Sequence, residues 1–277
     1  MELMKDHQVI RVKAWHDFSW LDEFGQVFCV FDQLISGNLC FGVESGSRKL
    51  FIKYAGAATM MYAGHPQAAI DRLKASAERY DELRHPCLGQ MLGHFETPQG
   101  FGLAFQWFEG FALAPVEAHL DSLHQLPLLQ RLRMFDGMMD FLVVASQRDY
   151  LVAGLANQHI LVDFINNKAI FSSVGHYLRF PASVPYPKLP GSPWYLPPEG
   201  YRHGAKLDDS ANVYALGALA FTFFGSTQSR LLSAWDAGKP LFGLASRAVD
   251  EKKNLRPVSA QAFQGEWRSI ILNTPGF

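Results

Sequence analysis

Two carboxylates and two imidazoles in the middle of the chain could carry chemistry: Asp149, His159, Asp163 and His176. A carboxylate can accept a proton or hold a hard cation, and an imidazole can bind a transition metal. No third ligand stands at a usual spacing from the two histidines, so we interpret them as ordinary hydrogen-bonded residues. We expect Asp149 to close the preceding helix and Asp163 to cap the turn over residues 165–167.

The composition excludes several classes of function. Among 277 residues there are 25 basic and 26 acidic side chains, so no basic excess favours nucleic acid or an anionic membrane. The N-terminal stretch is too charged for a signal peptide, and no apolar run approaches the length of a membrane span. Cys29, Cys40 and Cys87 show no CxxC spacing and are expected to be reduced thiols. We therefore expect a cytoplasmic protein without nucleic acid or membrane insertion.

Strand-like segments dominate the first part of the chain. Aromatic and β-branched runs separated by Gly, Ser and Asn predict hairpins. The expected strands cover residues 27–31, 39–43, 49–54, 89–95 and 101–108. Between the third and fourth strands, residues 66–83 predict one helix. Its apolar stripe consists of Ile70, Leu73, Ala77 and Tyr80.

After Glu109 and Gly110 the pattern becomes mostly helical. Residues 126–145 predict a helix with Pro127 in its first turn, and residues 213–224 are apolar nearly all round, as in a buried helix. Short apolar strands are expected at residues 160–162 and 169–171. The order of elements predicts an α+β protein in two lobes.

Several short motifs, each weak alone, follow one another in an order found in one known superfamily. They are Phe51-Ile52-Lys53, Leu83-Arg84-His85-Pro86, the segment Phe105 to Gly110, Pro197-Pro198-Glu199, the segment Asn212 to Gly217, and Arg256-Pro257. From about residue 27 to residue 271 the chain resembles the protein-kinase superfamily, in particular bacterial serine/threonine kinase-like proteins with unusual catalytic loops.

This resemblance implies a two-lobed kinase-like fold. The expected parts are an N-terminal extension over residues 1–24, a β-rich N-lobe with one helix over residues 25–108, and a mostly helical C-lobe over residues 109–277. A buried ion pair is expected between Glu199 and Arg256. The resemblance also implies nucleotide contacts from the strand lysine, the gatekeeper, the hinge and the floor of an adenine slot, which are Lys53, Phe105, Trp107, Phe108 and Leu161.

The catalytic positions implied by the resemblance have lost their chemistry. A kinase uses an Asp to orient the attacking hydroxyl, an Asn five residues later to hold magnesium, and the Asp of a D-F-G motif as a second magnesium ligand. These positions read Gly154, His159 and Gly175, and Ser76 replaces the helix glutamate that pairs with the strand lysine. We therefore expect no catalytic residue, no metal site and no cofactor. The expected protein is a pseudokinase that binds or regulates an unidentified protein partner.

Two alternatives stay open. Gln147-Arg148-Asp149 resembles a displaced H-R-D motif, so an active serine/threonine kinase or other ATP-dependent phosphotransferase could use Asp149 as base and Asp163 as metal ligand. A pseudoenzyme could instead keep ATP, without magnesium, as a structural ligand. Residues 180–198 contain seven prolines and correspond to an activation loop. Because proline fixes the backbone, we expect a fixed loop rather than a switch.

Overall fold

The computed structural model describes residues 1–185 and 187–274. It is a mixed α+β structure that divides into two compact units. Unit 1 comprises Met1–Arg84 and Gly89–Glu109, and unit 2 comprises His85–Leu88 and Gly110–Phe277. No helix in the described part of the chain is both long enough and apolar enough to cross a membrane.

Unit 1 is built on a five-stranded antiparallel sheet of order β3-β4-β5-β7-β6. Its elements are β1 (Glu2–Lys5), β2 (Gln8–Arg11), β3 (Gln26–Phe31), β4 (Asn38–Ser45), β5 (Arg48–Ala55), α1 (Pro66–Glu82), β6 (Met91–Thr97) and β7 (Gly100–Gln106). Alternation along β5 buries Leu50, Ile52 and Tyr54 on one face, which leaves Lys53 on the other. The predicted strands and helix are present, with shifted ends.

Helix α1 begins where the sequence provides a start signal. The ring nitrogen of His65 accepts a hydrogen bond from Gln67 N (3.2 Å), and Pro66 occupies the first helical position. The helix buries the expected stripe, except that Ala69 rather than Ile70 is the fully enclosed residue of its first turn. This face positions Ser76 and Tyr80 on the buried side of the helix.

Residues 1–24 contribute to the core of unit 1 and are not a separate extension. The hairpin of β1 and β2 turns at Asp6 and His7, both with positive φ, and the Asp6 carboxylate accepts a hydrogen bond from Val27 N (2.8 Å). The hairpin and the following segment bury their apolar side chains against the main sheet. The buried residues of this segment are Ile10, Val12, Phe18 and Leu21.

Unit 2 is mostly helical and carries several short strands. Its elements are β8 (Phe111–Ala112), α2 (Glu117–Gln125), α3 (Leu128–Gln147), β9 (Tyr150–Leu151), β10 (Ile160–Asp163), β11 (Lys168–Phe171), β12 (Leu178–Arg179), β13 (Ala182–Ser183), β14 (Lys206–Leu207), α4 (Ser210–Phe224), α5 (Gly238–Ala248) and α6 (Ala260–Asn273). Every residue of α4 from Ala211 to Phe224 is buried, which explains why this helix is apolar all round.

Two predicted boundaries differ from the structure. Pro127 precedes α3 as an extended residue rather than lying in its first turn. Residues 85–88, expected in the N-terminal lobe, belong to unit 2, because Phe171 N donates to Cys87 O (2.8 Å) and Leu88 forms a β-bridge with Phe171. A short parallel bridge of this kind leaves no periodic signal in a sequence.

Candidate functional site

In unit 1, Lys53 lies on β5 beside helix α1. Its Nζ donates a hydrogen bond to Tyr80 Oη (2.9 Å) and lies 5.1 Å from the centroid of the Phe105 ring and 5.4 Å from that of Tyr80. Ser76, at the position expected for a partner glutamate, turns away and donates its hydroxyl to Leu73 O (2.7 Å). A phenol one turn further along the helix therefore contacts the lysine.

Aromatic rings cover the face of the sheet that carries Lys53. Phe105 is buried and packs edge-on against Tyr80 with ring centroids 4.8 Å apart. The rings of Trp107 and Phe28 pack together with their centroids 4.8 Å apart. The backbone N of Trp107 donates a hydrogen bond to Lys49 O (3.3 Å). The structure thus brings the predicted residues Lys53, Phe105 and Trp107 onto one aromatic face.

The other two predicted nucleotide contacts lie in different units. Phe108 follows Trp107 and is half-buried. Leu161 belongs to unit 2, where it lies on β10 opposite Ala112 and Ile170 and is half-buried.

In unit 2, Gly154 occupies the position where an orienting Asp was expected, and its backbone conformation would strain a side chain. Its φ is +81°, and an added Cβ would lie 2.7 Å from His176 Cβ and 2.9 Å from His176 Cδ2. A non-glycine residue would be strained by its backbone and would also collide with an imidazole.

His159 completes this arrangement. Its Nδ1 lies 2.9 Å from Gly154 O, so the ring is hydrogen-bonded to the loop itself. Gly175 differs from Gly154, because an added Cβ there meets only Ser173 Oγ, at 3.6 Å. Gly154, His159 and His176 therefore lie close together: His159 is hydrogen-bonded to Gly154 O, and the side chain of His176 lies against Gly154.

Hydrogen bonds from two neighbouring segments hold the loop that contains Gly154. Asn212, at the start of α4, accepts from Val152 N (2.8 Å) and donates to Tyr150 O (2.9 Å). On the other side Gly154 N donates to Pro190 O (3.0 Å), and Ser192 N donates to Leu155 O (3.0 Å). These bonds tie the proline-rich segment to the loop; Tyr186 lies outside the described residues.

The two displaced carboxylates have different roles. Asp163 is buried, and its Oδ1 accepts from Ile165 N and Asn166 N, both at 2.9 Å, while its Oδ2 accepts from Asn166 Nδ2 (2.7 Å). This confirms the predicted turn cap. Burial raises the pKa of Asp163, but the hydrogen bonds from Asn166 and Ile165 outweigh it and leave the pKa below its ordinary value. Asp149 is exposed, with φ +60°, just after the end of α3.

The ion pair predicted between Glu199 and Arg256 is present. Arg256 Nη1 donates to Glu199 Oε1 (2.7 Å) and Nη2 to Glu199 Oε2 (3.0 Å), in the bidentate geometry that suits a guanidinium. The arginine side chain is 0% exposed and the glutamate side chain 8% exposed. Arg256 also donates to the backbone oxygens of Asp250 (2.8 Å) and Ser210 (3.1 Å).

Neither a metal-binding group among the described residues nor a comparison with known proteins indicates a function for this chain. Among residues 1–185 and 187–274, no group of three or more His, Cys, Asp or Glu side chains is arranged to hold a metal ion. A scan against protein-family models finds no match for the chain, and a search of curated proteins finds none either.

Two functional candidates were missed by sequence reasoning. The sequence pattern placed Tyr80 only in the apolar stripe of α1. A search limited to carboxylate partners of Lys53 does not include a tyrosine hydroxyl. Arg230 follows α4 in a segment without a recognisable motif. In the sequence it is a single arginine between polar residues and two leucines, and this pattern indicates no particular function.

Proposed function

We propose that this chain is a degenerate protein-kinase-like domain, a pseudokinase, that acts as a protein-binding or regulatory module and does not transfer phosphate. The order of the five-stranded sheet, the single helix beside it and the lysine on β5 facing that helix support the resemblance in unit 1. The buried pair of Glu199 and Arg256 supports it in unit 2.

The observation that carries the proposal is the conformation of Gly154. Phosphoryl transfer depends on orienting the nucleophile and on neutralising charge that develops in the transition state. At Gly154 the left-handed backbone and the side chain of His176 disfavour a carboxylate. Single electrostatic groups of this kind contribute about 2.7–4 kcal/mol each in other enzymes. Loss of the orienting group together with both magnesium ligands leaves little rate.

The alternative of an active phosphotransferase with displaced residues has less support. Both oxygens of Asp163 are occupied within its own turn, so a magnesium ion would have to displace three hydrogen bonds. The residues His159 and Gly175 do not provide the oxygen ligands that magnesium prefers. Nucleotide without magnesium remains compatible with Lys53, and we expect such binding to be weak or absent because Phe105 and neighbouring rings already surround the ammonium group.

A cytoplasmic location belongs to the same proposal. Cys29, Cys40 and Cys87 are free thiols, and the near-balanced charge favours neither nucleic acid nor an anionic surface. The partner is therefore expected to be another protein.

The test is a phosphoryl-transfer assay on the purified chain with labelled ATP and either magnesium or manganese. We expect no transfer to the protein itself or to generic protein substrates. Asp149→Asn is the matched control, because it removes the only displaced candidate base. Turnover in the wild type that disappears in Asp149→Asn would overturn the proposal and establish the displaced-residue enzyme.

A further inference from the structure

Arg230 is a half-buried cation in unit 2 with no acidic partner among the described residues. Its Nη1 donates to Tyr214 Oη (2.9 Å) and its Nη2 to Trp194 O (2.8 Å). The guanidinium lies 4.6 Å from the ring centroid of Trp194 and 5.1 Å from that of Tyr214. One N–H on each terminal nitrogen stays unused, and the enclosed Nε has no hydrogen-bond partner in the part of the chain described.

Three other arginines of unit 2 have carboxylate partners within the chain. Arg131 binds Asp236, Arg256 binds Glu199, and Arg268 binds Asp136. Withdrawing a guanidinium from water without a counter-ion costs free energy, and the aromatic rings offset only part of that cost. An anion supplied from outside the chain would neutralise Arg230 as those internal carboxylates neutralise the others.

The surroundings of Arg230 define a surface with a recognisable chemistry. Leu231 and Leu232 follow it directly and are 62% and 41% exposed. We refer to this surface as the Arg230 patch, formed by Trp194, Arg230, Leu231 and Leu232 next to the buried phenol of Tyr214.

We propose that the Arg230 patch binds an acidic segment of a partner protein. One carboxylate of that segment accepts the two unused N–H groups of Arg230, and an adjacent apolar side chain packs on Leu231. A carboxylate is the favoured anion because its single charge and two oxygens match one guanidinium fork. The proposal rests on the proposed function in one respect, namely that the chain acts by binding a protein.

The test begins with selection of random displayed peptides on the immobilised full-length protein. We expect the enriched peptides to carry Asp or Glu next to an apolar residue. For a synthetic version of the best peptide, Arg230→Gln should raise the Kd at least about tenfold. Arg230→Lys should also weaken binding, because an ammonium group lacks the planar fork. Arg202→Gln is the matched control at an exposed arginine and should leave the Kd unchanged.

A double-mutant cycle separates direct pairing from an indirect effect of the substitution. Replacing the acidic residue of the peptide by its amide should weaken binding to the wild type but not to Arg230→Gln. Melting curves check that each variant is folded. Absence of acidic peptides from the selection, or equal binding by Arg230→Gln, would overturn the proposal. Binding only of a phosphoserine version of the peptide would overturn the carboxylate assignment.

The two proposals fail separately in these experiments. Peptide binding is measured without ATP, so a negative result there leaves the phosphoryl-transfer result untouched. Conversely, phosphate transfer by the purified protein would remove the pseudokinase assignment and leave the peptide affinities as they are.

Discussion

Two regions of unit 2 differ in the charged side chains that they contain. Around Arg256 a full positive charge is buried, and it is bound by the Glu199 carboxylate and by backbone oxygens. Around Gly154 the Asp, Asn and Asp expected from the resemblance read Gly154, His159 and Gly175, and His159 Nδ1 lies 2.9 Å from Gly154 O. One region thus buries a paired charge, and the other carries glycine at two of the three positions where the resemblance implies catalytic side chains.

The loop around Gly154 is held by hydrogen bonds, although it lacks the catalytic side chains that the resemblance implies. Asn212 holds its entry, and Pro190 and Ser192 hold its other side through backbone hydrogen bonds. The difference between the two regions therefore teaches that hydrogen bonds and an ion pair hold the framework of unit 2, and the proposal that the loop does not transfer phosphate is open to test.

The largest effect is expected from breaking the ion pair. Arg256→Ala leaves the Glu199 carboxylate buried and unpaired, which costs about 3–5 kcal/mol of folding free energy. Chemical denaturation measures the loss. The control is Arg247→Ala, which removes an exposed pair with Glu266 and should cost no more than about 1 kcal/mol. Equal stabilities of the two variants would mean that the buried pair does not support the framework.

A smaller loss is expected from restoring a carboxylate to the loop. Gly154→Asp places a side chain in the left-handed region and against His176, which should cost about 1–3 kcal/mol without producing phosphoryl transfer. Gly175→Asp is the matched control, since its added Cβ meets only Ser173 Oγ at 3.6 Å and should change stability little. If Gly154→Asp were as stable as the control, the loop would be able to accept a catalytic residue.

Acidification should produce a further, smaller loss, located in unit 1. His16 is buried, and its Nε2 lies 2.8 Å from Tyr54 Oη. Burial lowers the pKa of His16 below its ordinary value of 6.5, although the neighbouring Asp17 carboxylate acts in the opposite direction. Below that ordinary value the unfolded chain binds a proton that the folded chain does not, so stability is present near neutral pH and falls as the pH decreases. Melting temperatures at about pH 7.5 and about pH 5 measure this dependence.

His16→Gln should lose less stability on acidification than the wild type does. Part of the loss should remain, because burial also lowers the pKa of His85 in unit 2. An acid-induced loss of equal size in the wild type and the variant would show that His16 does not contribute to it. Such a result would leave the comparison between the two regions of unit 2 intact.

The sequence predicted the elements with strong periodicity and the contacts that belong to recognisable motifs. Alternation along β5 and the apolar surface of α4 follow from burial alone, and both were located within a few residues. The turn cap at Asp163 was predictable because an aspartate accepts hydrogen bonds from the backbone two and three residues ahead. Glu199 and Arg256 were found through their motifs.

What the sequence did not predict depends on contacts distant along the chain. The hydroxyl of Tyr80 binds Lys53 because one turn of α1 brings the phenol over β5, and a search restricted to acidic residues could not find it. The place of residues 1–24 in the core depends on a short hairpin with two non-glycine residues at positive φ, a weak signal in sequence. Only the three-dimensional structure shows that Arg230 has no carboxylate partner among the described residues.

The most direct test of the central claim is a thermal-shift titration with ATP, with and without magnesium. A ligand held at 100 times its Kd stabilises a protein by about 2.7 kcal/mol, which is readily visible in a melting curve. We expect little or no shift with ATP and no difference on adding magnesium, because His159 and Gly175 offer no side-chain oxygen ligands and the Asp163 carboxylate already accepts hydrogen bonds within its own turn. A magnesium-independent shift that is lost in Lys53→Met would instead identify nucleotide as a structural ligand. A clear magnesium-dependent shift with ATP would contradict the account.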